Sequence, residues 1–272
     1  MLLNKFVCTV LTAAVCACST LSIADEKALR IGIEAAYPPF AYKTPDNQLA
    51  GFDYDIGQEL CTRIATKCEW IEMEFDGLIP ALKVRKIDAA ISSVSITAAR
   101  ARSVDFTNSY YLLPAKLVAR KDSGINVAPA DLKGKRIGVQ RASNFDRYAT
   151  EIFEKEGAEV VKYGTQNEVF LDLAAGRLDA SLAGALVIED GFLKTPQGAD
   201  YHVLDQNFTD ETYFGTGAGI AIRKNDPLVG KLNDALAAIK KDGTYDKIQK
   251  RHFQYDISGD NTQAFLIYKR LK

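Results

Sequence analysis

Two stretches of this chain repeat one another. Arg30-Ile31-Gly32-Ile33-Glu34 returns as Arg136-Ile137-Gly138-Val139-Gln140. In the same order, Lys86-Ile87-Asp88-Ala89-Ala90 returns as Arg177-Leu178-Asp179-Ala180-Ser181. Each copy is a short apolar run ending in polar residues, the pattern of a buried strand that carries side chains to the rim of a cleft. Around the copies, strand-like runs alternate with segments of helical spacing, as at Ile56, Leu60 and Ile64. That alternation predicts an α/β architecture with helices on both sheet faces. Two such units predict two similar lobes with a site between them that closes around a small molecule.

Composition matters mainly for what it excludes. A length of 272 residues allows a sizeable core in one or two domains. A formal net charge of -1 supplies no basic stripe for nucleic acid. Gly215-Thr216-Gly217-Ala218-Gly219 lacks the spacing of a dinucleotide loop and leads into an apolar run. With no P-loop and no zinc-protease helix, the reading predicts no cofactor. No metal is predicted either, because two thiols without a nearby His make a poor zinc set. Asp53 and Asp55 read as helix caps. Asp88 and Asp179 read as repeated structural residues.

The first 24 residues read as a cleavable export signal: Lys5, a mostly apolar run over 6–17, then Ser22-Ile23-Ala24. That run is too short to span a bilayer, which takes about 20 residues. Lipidation at Cys18 is an alternative. Export predicts a periplasmic protein. It leaves Cys61 and Cys68 as an even pair, for which a disulfide is the default. Continuous helix would hold their Cα atoms about 10 Å apart at ~1.5 Å per residue, whereas a disulfide tolerates about 7 Å at most. The helix carrying Cys61 must therefore end near Thr66.

Along the chain, strands are predicted over 29–33, 70–73, 87–94, 116–119, 136–139, 178–183 and 215–222. Pro45-Asp46-Asn47 is a hairpin tip. Thr97 opens a short helix carrying Arg100, and Ser143 or Asn144 caps a helix running to residue 156.

The segments Tyr37-Pro38-Pro39-Phe40, Gly51-Phe52-Asp53-Tyr54-Asp55, Asp76-Gly77-Leu78-Ile79-Pro80-Ala81-Leu82, Ser92-Ser93-Val94-Ser95-Ile96-Thr97 with Arg100, and Phe214-Gly215-Thr216-Gly217 carry a resemblance. From residue 25 to about 259 the chain resembles the periplasmic binding proteins for polar amino acids, above all those for lysine, arginine, ornithine and histidine. The resemblance implies a type II two-lobe fold hinged by two chain crossovers. Lobe 1 is expected over 25–112 plus 217–260, lobe 2 over 113–216, and a short tail over 261–272. It also implies a monomer that delivers an amino acid, or a derivative, to the membrane permease of an ABC transporter.

Arg100 is the expected grip on an α-carboxylate, since a planar guanidinium offers two parallel hydrogen bonds. Ser92, Ser93 and Ser95 lie just before it, where hydroxyls and backbone N–H groups favour anions; Thr97 reads better as a cap. Tyr37 and Phe75 are candidates to sandwich a flat or cationic side chain. Glu34 is placed to pair with the cationic end of a basic ligand. Gln140, Ser143 and Asn144 are expected from the second lobe. Gly184 departs from the family pattern, which carries there an Asp that pairs with the α-ammonium. Without that Asp, either a plain amino acid binds weakly, or water or serine oxygens take its place, or the ligand has no free α-ammonium, as in an opine, an N-substituted amino acid that could use the space vacated at Gly184. Two other functions compete: a secreted dehydratase using Glu34 as general acid, and a ligand sensor reporting to a separate receptor.

Overall fold

The computed structural model describes residues 28–259. The export-signal reading at 1–24 and the tail at 261–272 lie outside the described residues. Two five-stranded sheets carry the two repeats. In the first, Cys68–Glu72, Leu29–Ile33 and Ala89–Ala90 run parallel. Ala221–Arg223 then lies antiparallel between Ala89–Ala90 and Val104–Phe106. In the second, Glu159–Tyr163, Arg136–Gln140 and Ala180–Gly184 run parallel, with Ala115–Arg120 antiparallel beside them and Tyr201–Val203 at the edge. The chain passes from the first sheet to the second after Phe106 and returns before Ala221. The two crossovers pair with each other: the Ala218 N–H donates to Tyr111 O at 2.9 Å, and the Tyr110 N–H to Ala218 O at 2.9 Å. This is the two-lobe type II arrangement.

The repeat has a packing cause. A Cβ at Gly32 would meet Ile87 Cδ1 at 2.5 Å, and one at Gly138 would meet Leu178 Cδ1 at 2.3 Å. Only glycine lets the following apolar residue press onto the strand. The paired acids clamp the same place. Asp88 accepts from Arg30 Nε and Nη2, both at 2.9 Å. Asp179 accepts from the Arg136 backbone N–H at 2.7 Å and from its Nε at 3.3 Å. Both acids are structural.

Several expectations change in detail. Asp53 and Asp55 are not caps: helix Phe52–Arg63 starts after Gly51 with no side-chain cap. Backbone carbonyls take over instead, since the Phe52 and Asp53 N–H groups donate to Pro39 O and Phe40 O at 3.1 and 2.8 Å. Asp55 is free to pair with His252 and Arg251. The strand expected over 87–94 shrinks to Ala89–Ala90, because Ser93 turns left-handed at φ 53°. The strand expected over 215–222 shrinks to Ala221–Arg223, because Gly215 and Gly217 also take positive φ, 72° and 116°. Ser143 caps helix Asn144–Tyr148, accepting from the Asp146 N–H at 3.0 Å. A π-helical turn, Ala149–Phe153, continues it.

Cys61 and Cys68 are bridged with Cα atoms 6.0 Å apart. The helix ends at Arg63 and the chain folds back through Ala65 at φ 52°. Closing so short a loop restricts the unfolded chain, so replacing both cysteines by serine should lower stability by about 2–3 kcal/mol. Urea denaturation of the oxidised protein against the double variant measures it.

Candidate functional site

The strand ends of both sheets face one cleft. With Gln140 closed onto Glu34 the cleft keeps an internal cavity of about 50 Å³. Glu34 follows the Leu29–Ile33 strand and Gln140 ends the matching strand of the second sheet. The repeat therefore delivers an acid from one side and an amide from the other. They meet across the cleft, Gln140 Nε2 donating to Glu34 Oε1 at 2.7 Å.

Glu34 is 2% exposed, and among the described residues no cation lies within ion-pair distance of it. Burial pushes its carboxyl up to about 7, against the lowering effect of the Gln140 hydrogen bond, with Glu74 and Asp76 adding repulsion. Its backbone N–H donates to Ser92 Oγ at 3.0 Å. Tyr37, Phe75, Ser93 and Ser95 line the same cavity, as do Ser143, Asn144 and Gly184.

Arg100 stands differently. It borders two outer depressions rather than the cavity itself. Phe75, Ser143 and Asn144, which line the cavity, also line one or other of these depressions. Its guanidinium lies 5.2 Å from the Phe75 ring centroid. Its Nη1 donates to Ser95 O at 3.1 Å and its Nη2 to Ala142 O, across the cleft, at 3.3 Å. Two of its five N–H donors are thus engaged, and no carboxylate among the described residues pairs with it. Burial pushes the guanidinium down to about 10, so it stays charged at neutral pH. Phe75 therefore carries the arginine on one face.

Tyr37 lies near both charges: burial, then Glu34, push its phenol up, while Arg100 pulls it down. A Cβ built at Gly184 would sit 3.2 Å from the Tyr37 hydroxyl. The expected vacancy at Gly184 is filled, in this closed arrangement, by that hydroxyl. At the rim, Arg141 bridges the lobes, its Nε to Asp76 at 2.7 Å and its Nη2 to Glu74 at 3.1 Å. Sequence reasoning missed the apolar wall made by Phe40, Tyr111, Leu113, Phe145, Val187 and Phe214. Their residue types gave no signal to separate them from core.

The fold and cleft define a two-lobe receptor for a small molecule. Residues 29–255 match the family model for bacterial extracellular solute-binding proteins, family 3. The chain belongs to that family. It is 54% identical over 249 residues to the L-arginine-binding protein of Pseudomonas aeruginosa, covering 90% of this chain and 96% of that protein. It is 42% identical to the lysine/arginine/ornithine-binding periplasmic protein of Escherichia coli, covering 85% and 90%. An ancestral arginine-binding protein solved with arginine bound superposes with a TM-score of 0.77 at 36% identity, covering 83% of this chain and 98% of that one.

Proposed function

We propose that this protein captures a basic amino acid, L-arginine first, in the periplasm and delivers it as a monomer to the permease of an ABC transporter. One observation carries the reading: Glu34 lines the cavity and Arg100 borders the depressions that share Phe75, Ser143 and Asn144 with it, opposite charges that each lack a counter-ion among the described residues. Neither charge is comfortable alone in a desolvated cleft. A ligand with a carboxylate at one end and a cation at the other satisfies both. Arginine does so with a planar guanidinium that also suits the face of Tyr37. The names of the similar receptors support the same ligand class.

In this reading lobe 1 comprises residues 25–112 plus 217–260, and lobe 2 residues 113–216. Closure brings Gln140 onto Glu34 and Arg141 onto Asp76, which buries the ligand. No chemistry is assigned, because capture needs only a clamp, a stacking face and a hinge. Calorimetry with arginine, lysine, ornithine, histidine and octopine-type conjugates tests the reading. Saturable one-site binding led by a basic amino acid, without product, supports it. Tighter binding of the conjugates would move the ligand to N-substituted amino acids. Turnover of a prephenate-like acid would instead make Glu34 a general acid.

A further inference from the structure

Asp53 is a buried acid that ligand capture leaves unused. It is fully buried in the first turn of helix Phe52–Arg63, one layer behind the cleft wall. Its Oδ1 accepts from the Tyr110 hydroxyl at 2.8 Å and its Oδ2 from the Ser93 hydroxyl at 2.8 Å.

Ser93 lines the cavity, and it holds an unusual conformation for a residue with a side chain, φ 53°. Such a turn persists only where its surroundings over-determine it. Here Asp53 supplies the anchor. A serine hydroxyl has one proton and two lone pairs. With the proton committed to Asp53, only lone pairs remain for the cavity.

The charge balance of the site gives this a purpose. A basic amino acid brings two cations, its α-ammonium and its side chain, whereas Glu34 is the one carboxylate among the described cavity-lining residues. We propose that Asp53 is a positioning residue that acts through Ser93. It holds the 92–95 turn and makes the Ser93 hydroxyl a hydrogen-bond acceptor for the ligand's second cationic group. The carboxylate's charge thereby reaches the cleft through a polarised hydroxyl without itself being exposed. The role rests on the reading of the cleft as a basic amino-acid site.

The test is a double-mutant cycle read by calorimetry with L-arginine at about pH 8. Asp53→Asn and Ser93→Gly are each expected to weaken binding about 10- to 100-fold. Glycine tolerates the left-handed turn, so the second variant removes only the hydroxyl. The double variant should lose no more than either single one. Tyr110→Phe, which removes the other hydrogen bond to Asp53, should lower the melting temperature and leave affinity within about twofold. Losses that multiply in the double variant would overturn the proposal, as would a Tyr110→Phe loss equal to that of Asp53→Asn. If Asp53→Asn fails to fold, Ser93→Gly decides alone: affinity within about threefold of wild type would overturn it. A wild-type protein that binds no basic amino acid fails the cleft reading first, and this role with it.

Discussion

Replacing Glu34 by glutamine should weaken arginine binding by two to three orders of magnitude and, in the same protein, raise the melting temperature of the unliganded form above neutral pH. Both effects have one origin. The Glu34 carboxyl titrates near 7 rather than 4.5 because burial disfavours its charge. Below about pH 4.5 it is protonated folded or unfolded, so it has no linkage effect. As pH rises from there through 7, the unfolded chain releases the proton more readily than the folded one, and stability falls. The shift corresponds to about 2–4 kcal/mol above pH 7. Glutamine keeps the shape and removes that term. The ligand's cation supplies the counter-charge in the wild type, and removing one partner of a buried pair typically costs about 3–5 kcal/mol. Calorimetry and thermal melts at about pH 8 measure the two effects. A variant that lost affinity and stability together would show that Glu34 merely packs.

Arg100→Ala is the second large effect. Arg100 is a half-buried guanidinium with no acidic partner among the described residues, the natural seat for a carboxylate, and once that pair is enclosed its loss should cost arginine affinity about 200- to 5,000-fold. Lysine at this position should recover only part of it, since an ammonium cannot grip both carboxylate oxygens in one plane. Ligand engagement would draw the guanidinium from the Ser95 and Ala142 carbonyls toward the cavity. The fold should survive, because Arg100 makes no ion pair among the described residues. Equilibrium binding of arginine to the three proteins, with circular dichroism as the folding control, checks it. Unchanged affinity in the alanine variant would remove the clamp from the account.

Much of the framework was legible because it rests on local rules. The repeated Arg-Ile-Gly strands, the Pro45-Asp46-Asn47 hairpin tip, the Thr97 cap and the turn forced by Cys61 and Cys68 each follow from patterning or chain geometry. What escaped depends on contacts distant in sequence. Asp53 looked like a cap because it opens a helix; its partners lie 40 and 57 residues away. Ser93 looked like a strand residue, and in the structure it turns left-handed with its hydroxyl bonded to that distant carboxyl. Gly184 suggested empty space, and the Tyr37 hydroxyl from the other lobe fills it. Phe40 and Tyr111 are as apolar as any core residue, so their place on the cavity wall left no trace in the pattern.

The central claim is that the ligand's cation replaces the proton on Glu34 inside the cleft. Arginine titrated calorimetrically at about pH 6, in two buffers of different ionisation enthalpy, reports protons released per ligand bound. Release of about one proton more at pH 6 from the wild type than from Glu34→Gln, fading to none by about pH 8.5 as affinity levels off, is the predicted result; the comparison removes any proton from Asp53, whose carboxyl burial also pushes up to about 7. Tight wild-type binding with no proton release beyond that of Glu34→Gln at pH 6 would contradict it.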